Sequence, residues 1–296
     1  MPAMDEILLF YNNWPVLYYV YVFIIGLMIG SFLNVVIYRV PVMMERDFKR
    51  DYLEYFHPDS EELKVKPETF NLFVPRSRCP KCGHRITAME NIPVLSWLFL
   101  RGKCSGCGLP ISFRYPAIET LCALLTLACA FVFPPSLPLL GAMTFCWFLI
   151  SLSFIDFDKM ILPDEMTIPL IWLGLIFNYS GTFCAFRDAF LGALAGYLVL
   201  WSFYWLFKLL TGKDGMGYGD FKLMSAVGAW CGWQMLPAAI FLSAIAGATI
   251  GITYLVITHG GKSKPIPFGP YIAVAGLAVM WFGSGINNWY LSTLQG

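Results

Sequence analysis

The distribution of apolar residues along the chain predicts a membrane protein built from helices. Apolar segments recur from the start of the chain to its end, most of them near the length of about 20 residues that a helix needs to cross a bilayer. We interpret them as eight transmembrane helices at residues 15–38, 117–134, 137–155, 164–180, 189–210, 220–236, 237–257 and 269–290. The predicted fold class is therefore an all-α polytopic membrane protein with about eight transmembrane helices.

The composition agrees with this class. Hydrophobic residues make up 58% of the 296 residues, and charged residues make up 13%. A soluble domain usually contains about 25% charged residues, so about half of the usual charge is missing. The formal net charge is +1, which gives no reason to expect nucleic acid as a partner. The expected surroundings are the lipid bilayer.

One long polar segment divides the chain. We predict an N-terminal transmembrane helix at 1–38, a loop domain at 39–116, and a seven-helix membrane domain at 117–296. The first half of the loop, from Glu45 to Glu68, is rich in charge and is interpreted as a solvated helix or a flexible connection. The apolar run at 91–100 is too short to span, so it either lies at the membrane interface or packs on the polar loop.

The distribution of basic residues predicts the orientation. With eight helices and the N-terminus outside the cytoplasm, 19 of the 20 Lys and Arg residues fall on one side, and only Arg187 falls on the other. Basic loops remain in the cytoplasm. The loop domain, the end of the third predicted helix and the start of the sixth are therefore expected on the cytoplasmic side.

The loop domain contains two Cys-x-x-Cys pairs, Cys79 with Cys82 and Cys104 with Cys107. A glycine follows each pair, and this spacing lets two thiolates reach one tetrahedral ion, which predicts a structural zinc site with four cysteine ligands. The alternatives are two disulfides or four free thiols. A reducing cytoplasm disfavours disulfides.

Two acidic residues border apolar segments where a charge is costly. Asp156 lies at the end of a long apolar helix, at the unfavourable end of its dipole, and Asp220 follows the glycine-rich run at 215–219. Asp164 lies at a helix start, where a negative charge is ordinary. Two neighbouring carboxylates share one proton, so Asp156 and Asp220 predict either an acid–base pair that hydrolyses an amide or a proton relay in a transporter.

The chain also resembles a known family, the type IV prepilin peptidases of bacterial inner membranes. The resemblance rests on the four cysteines and on short segments at residues 30–39, 90–93, 114–116, 155–156, 162–164, 217–220 and 265–271. It implies that Asp156 and Asp220, rather than Asp164, are the catalytic pair. It also implies leader cleavage of type IV prepilins and pseudopilins at the cytoplasmic face of the inner membrane, so the opposite side, where the charge distribution puts the N-terminus, is the periplasm.

The resemblance further implies that the new N-terminal residue is methylated by S-adenosylmethionine. The chain contains no glycine-rich Rossmann fingerprint, so this cofactor is expected to bind at the loop and the adjacent helix ends. The candidate residues are Glu90, Asn34 and Arg39. Helix-end capping and pairing with lipid headgroups remain alternative roles for all three.

Overall fold

The structure is a computed structural model that describes residues 2–64, 68–257 and 266–295. Within these ranges the regular structure is helical, and no β-strand occurs beyond two isolated bridges, Arg78 with Arg85 and Lys103 with Pro110. The predicted all-α class is therefore confirmed. Pro265, the first residue of one motif segment, lies outside the described residues.

The helices follow one another along the chain. They are α1 (Pro2–Asn13), α2 (Pro15–Phe56), α3 (Glu61–Lys64), α4 (Leu95–Phe99), α5 (Arg114–Val132), α6 (Leu137–Lys159), α7 (Asp164–Tyr179), α8 (Phe186–Thr211), α9 (Tyr218–Cys231), α10 (Leu236–Ile257) and α11 (Gly269–Gln295). Single 3-10 turns occur at Met89–Asn91 and Trp233–Met235.

Five helical segments in the described ranges are long and apolar enough to cross a membrane. They are Pro15–Phe56, Arg114–Val132, Leu137–Lys159, Phe186–Thr211 and Trp233–Tyr254. The other three predicted spans fall on α7, α9 and α11. Helices α7 and α9 have only 16 and 14 residues, fewer than the usual 20 or so. The multi-pass membrane class is confirmed, and the number of eight spans stays a prediction.

The first predicted span is the apolar part of a longer helix. Helix α2 has 42 residues, contains Pro41 in its interior and continues as far as Phe56. The charged segment that begins at Glu45 is therefore helical over most of its length. Lys49 forms an ion pair with Glu62 of α3 at 2.5 Å, so the chain turns back towards α2 after this helix ends.

The chain forms two compact units, one comprising Trp14–Ala128 and the other Met1–Asn13 with Cys129–Gly296. In the first unit, α2 packs against α5 through two glycines spaced four residues apart. A Cβ atom at Gly26 would lie 2.6 Å from the Cα atom of Ala123, and one at Gly30 would lie 2.7 Å from the Cα atom of Glu119. Small residues at this spacing let two membrane helices approach closely.

In the second unit, α9 is a buried helix that contacts α7, α8, α10 and α11. Its C-terminal end is fixed by Trp230, which is fully buried and donates its indole N–H to the carbonyl of Leu170 at 2.8 Å. The buried Asn178 donates to the carbonyls of Ala229 and Trp230 at 2.9 and 3.0 Å. These bonds satisfy carbonyl groups that the last turn of a helix leaves without partners.

The closest approach in this unit joins α8 and α9. Gly192 of α8 faces Gly228 of α9, and a Cβ atom on either glycine would overlap the other's carbonyl group. One helical turn away, a Cβ atom at Gly196 would lie 2.6 Å from the carbonyl oxygen of Met224, and Ser225 donates to the carbonyl of Ala193 at 2.7 Å. Only glycine therefore fits where these two backbones meet.

We expect Gly228→Ala to destabilise the protein because the added methyl group overlaps the backbone of α8. Overpacking of this kind typically costs about 1–3 kcal/mol. Thermal unfolding of the purified protein in detergent measures the effect. Gly285→Ala in α11 is the matched control, since a Cβ atom there meets no atom within 4 Å. Equal midpoints for the two variants would contradict this account of the α8–α9 contact.

Candidate active site

Asp156 lies one turn before the end of α6, and its side chain reaches the start of another helix. The residue is 6% exposed, and its Oδ2 atom accepts the N–H of Gly269, the first residue of α11, at 2.9 Å. The N-terminus of a helix carries positive partial charge and stabilises an anion. The carboxylate that is unfavourable at the end of its own helix is therefore favourable at the start of α11.

Asp220 is the third residue of α9 and is 7% exposed. Its Oδ2 atom accepts the N–H of Gly217 at 3.1 Å, which closes the first turn of the helix. Each of the two carboxylates therefore combines burial, a backbone N–H donor and a position at a helix N-terminus. In this arrangement, backbone N–H groups at helix starts stabilise acidic side chains inside an apolar protein.

Leu162, in the segment between α6 and α7, connects the surroundings of the two carboxylates. A Cβ atom at Gly219 would lie 2.7 Å from the Leu162 Cβ atom, and one at Gly269 would lie 3.2 Å from its Cδ2 atom. Leu162 thus contacts the residue before Asp220 and the residue that donates to Asp156.

Asp164 has a different environment from Asp156 and Asp220. Its side chain is 53% exposed, and both of its oxygens accept hydrogen bonds from the Lys222 ammonium, at 2.6 and 2.7 Å. The ion pair joins the start of α7 to the first turns of α9, two residues after Asp220. Our sequence reasoning did not find this role for Lys222, although a lysine so close to Asp220 was the available signal.

The glycine-rich run before Asp220 is anchored at its beginning. Asp214 accepts a hydrogen bond from the hydroxyl of Tyr204 at 2.6 Å and forms an ion pair with Lys208 at 2.8 Å. These contacts, with that from Lys208 the strongest, hold the pKa of Asp214 below its usual range. A Cβ atom at Gly215 would lie 2.8 Å from the Phe207 ring, so the run lies close against the end of α8.

The four predicted metal ligands come together in the other unit. The Sγ atoms of Cys79, Cys82, Cys104 and Cys107 all lie within 4.8 Å of one another, and none of the four forms a disulfide. The glycine after each pair donates its N–H to the carbonyl of the first cysteine of that pair, at 3.0 and 2.9 Å, and both glycines have a φ angle of 70°. The two pairs therefore share one turn geometry.

This geometry fits a tetrahedral metal ion. A metal–sulfur distance of about 2.3 Å gives sulfur–sulfur separations of about 3.8 Å, and the Sγ atoms of Cys79 and Cys107 are 3.8 Å apart. The backbone N–H groups of Cys82 and Lys81 lower the pKa of Cys79 to about 6, whereas burial and the neighbouring thiols raise that of Cys82 to about 11. A metal binds the thiolate, so the form that binds is favoured at Cys79, and at Cys82 the ion itself would have to displace the proton.

Glu90 joins the two cysteine turns. Its carboxylate accepts hydrogen bonds from the Ser105 hydroxyl, from the Thr87 N–H at 2.8 Å and the Thr87 hydroxyl at 3.0 Å, and it lies 3.2 Å from the Nε2 atom of His84. His84 follows the first cysteine pair, and Ser105 lies inside the second. These hydrogen bonds, with that from Ser105 the strongest, lower the pKa of Glu90 to about 2, so it is ionised at neutral pH.

Asn34 and Arg39 contact other parts of the same unit. Asn34 donates to the carbonyls of Gly30 and Tyr115 at 3.3 and 3.2 Å, which connects α2 to the start of α5. The buried Arg39 donates to the carbonyls of Asn71 and Pro75 at 2.7 and 2.6 Å. Each of the three candidate cofactor residues therefore has protein partners of its own.

Comparison with known proteins decides the family. A family model described as "Bacterial Peptidase A24 N-terminal domain" matches residues 24–133, and one described as "Type IV leader peptidase family" matches residues 143–252. A "Prepilin leader peptidase/N-methyltransferase" of Aeromonas hydrophila is 56% identical over 281 residues, which cover 95% of this chain and 96% of the relative. The chain belongs to the type IV leader peptidase family.

Two further relatives with the same name support this membership. The protein of Pseudomonas aeruginosa is 45% identical over 291 residues, 98% of each chain, and that of Legionella pneumophila is 44% identical over 279 residues, 94% of this chain and 96% of the relative. No solved structure matches the chain. The match to the N-terminal domain model contains all four clustered cysteines, and the match to the type IV leader peptidase model contains Asp156 and Asp220.

We expect the purified protein to bind one divalent metal ion through the clustered cysteines, since four thiolates complete a tetrahedral site. Cys104→Ser should lower the metal content measured by atomic emission and abolish the charge-transfer bands of the cobalt-substituted protein. Cys184→Ser is the matched control, because Cys184 is half-buried and lies in the other unit. Equal metal content in both variants would show that the cluster does not bind the ion.

Proposed function

We propose that this protein cleaves the leader peptide of type IV prepilins and pseudopilins and then methylates the new N-terminal residue with S-adenosylmethionine. The names of its relatives support both activities. The observation that carries the peptidase activity is the pair of buried carboxylates, Asp156 and Asp220, each of which accepts a backbone N–H at the start of a helix. For the methylation activity, the main support is membership of the family.

The proposed cleavage uses the two carboxylates as an acid–base pair that shares one proton. The ionised carboxylate takes a proton from water as the oxygen of that water attacks the amide carbonyl. The protonated carboxylate donates a hydrogen bond to the same carbonyl and later supplies the proton to the leaving amine. Oδ2 of each aspartate accepts a backbone N–H, so we assign the water and the substrate to the Oδ1 atoms.

We further propose eight transmembrane helices in the bacterial inner membrane, with the N-terminus in the periplasm and the catalytic pair at the cytoplasmic face. The five long apolar helices and the one-sided distribution of Lys and Arg support this arrangement. A substrate whose apolar N-terminal helix lies in the bilayer would then present its cleavage site at the depth of Asp156 and Asp220. Residues 1–38, 39–116 and 117–296 serve as anchor, loop domain and membrane domain.

For the cysteine cluster we propose a structural zinc ion. Four thiolates are the donor set typical of structural zinc, and a closed site of four cysteines has no open position for a substrate. The ion would fix the two turns that Cys79–Cys82 and Cys104–Cys107 form. Glu90 supports the same arrangement, because it bonds to residues next to both pairs.

We propose that S-adenosylmethionine binds at the loop domain near Asn34, Arg39 and Glu90. The polar groups of these residues hold carbonyls and hydroxyls of the loop in fixed positions. Their proposed contribution is therefore to shape the binding surface. Methyl transfer then needs an uncharged N-terminal amine on the cleaved substrate as the nucleophile.

We expect Asp156→Asn and Asp220→Asn each to lower prepilin cleavage by about 10²- to 10⁴-fold, because each removes one half of the acid–base pair. Gel separation of precursor and mature pilin in a reconstituted assay measures cleavage. Glu165→Gln, an exposed acid at the start of α7, is the matched control. Methylation of a pre-cleaved pilin peptide should persist in all three variants and shows that they are folded. Full cleavage by either aspartate variant would eliminate the proposed pair.

We expect Lys222 and Asp164 to position the pair without contacting the substrate. Asp164→Asn and Lys222→Gln should each lower kcat by about 1.4- to five-fold at unchanged KM, because a partly exposed ion pair contributes about 0.2–1 kcal/mol. Lys222→Arg should retain activity, and the charge exchange Asp164→Lys with Lys222→Asp should recover part of it. If the exchanged protein is as slow as the product of the single effects predicts, the ion pair has no positioning role.

A further inference from the structure

The short helix α4 has one apolar face that residues 2–64, 68–257 and 266–295 leave exposed. Leu95, Leu98 and Phe99 are spaced as i, i+3 and i+4, so they lie on the same side of the helix. They are 50%, 57% and 83% exposed. Three large apolar side chains side by side on a surface indicate contact with something other than water.

The opposite side of α4 is firmly attached to the loop domain. Trp97 donates its indole N–H to the carbonyl of Ile111 at 3.1 Å, and its ring meets that of Phe113 edge to face with centroids 5.7 Å apart. A Cβ atom at Gly102 would lie 2.9 Å from the Trp97 ring. Trp97 therefore fixes which face of α4 points away from the domain.

A hydrogen bond fixes the level of α4 along a membrane helix. The N–H of Val94, the residue before α4, donates to the Oε2 atom of Glu119 at 2.7 Å. Glu119 is buried in the second turn of α5, which is long and apolar enough to cross a membrane. At a rise of about 1.5 Å per residue, it lies about 7–8 Å along α5 from Arg114, where this helix begins.

The backbone of Val94 shows that this contact is specific. Val94 has a φ angle of 60°, a value that a β-branched residue adopts only when its surroundings impose it. The hydrogen bond to Glu119 acts directly on this residue. The start of α4 is therefore held beside the second turn of α5.

The side chains around α4 have the composition of a membrane-interface segment. Phe113 and Tyr115, at the start of α5, are 67% and 48% exposed. Arg101, Lys103 and Arg114 are close in sequence to α4 and to the start of α5. An apolar face with aromatic residues and neighbouring basic residues is typical of segments that lie about 5–10 Å deep at the headgroup–acyl boundary.

We propose that the face formed by Leu95, Leu98 and Phe99 inserts into the lipid bilayer at the end where α5 begins. The apolar surface of α4 then continues the lipid-facing surface of a spanning helix. The loop domain is consequently attached to the membrane at a third point, besides its two connections to α2 and α5. The occupant of the exposed face is lipid and not a second copy of the chain or another protein.

The test places an environment-sensitive fluorescent amino acid at residue 99 of the full-length protein, with one protein molecule in each lipid nanodisc. We expect the Phe99-substituted protein to show blue-shifted emission that is quenched by lipids carrying a doxyl group near the headgroup. Phe73, which is 77% exposed in the same domain, is the matched control position and should show neither effect. A probe at Leu98 repeats the measurement, and unchanged metal content shows that the domain is folded.

Two results would overturn the proposal. Emission at residues 98 and 99 that matches the control position would show that the face meets water. A blue shift without quenching by the doxyl lipids would show that protein covers the face. If that second result were also seen in dilute detergent, the covering protein would belong to the same molecule.

Discussion

The arrangement of this protein depends on how it accommodates two carboxylates inside an apolar helical unit. Asp156 and Asp220 each need donors, and each receives a backbone N–H at the start of a helix. Those donors are correctly placed only if α9 and α11 begin beside the segment that follows α6. The close glycine contact between α8 and α9, and the position of Leu162 against Gly219 and Gly269, set that geometry.

The helical membrane class could be predicted from the sequence because hydrophobicity accumulates over about 20 residues and needs no tertiary information. Helix ends were harder to predict. The predicted span ends at residue 38, yet α2 continues to Phe56, because hydropathy marks lipid contact whereas charged residues also support a helix. Helix α9 is shorter than its predicted span because Gly232, with a φ angle of 84°, ends it.

The candidate sites also contain some features that the sequence predicts and others that it does not. The cysteine cluster could be predicted because each pair forms a local turn, and the structure brings the two turns together. The roles of Gly269, Leu162 and Lys222 could not, because each depends on a partner far away in sequence: Gly269 bonds to a residue 113 positions earlier, and Lys222 to one 58 positions earlier. A sequence pattern shows that Pro163 precedes a helix, but it does not show which lysine will reach Asp164.

Helix α2 also has a mechanical consequence. Its 42 residues correspond to about 63 Å, roughly twice the hydrocarbon thickness of a bilayer. A continuous rod of this length acts as a lever, so a tilt of about 10° near residue 38 moves Phe56 sideways by about 5 Å. Pro41, inside the helix, is the natural hinge for such a movement. A bend at this point would move the far end of α2 while Gly26 and Gly30, on the other side of Pro41, keep their contacts with α5.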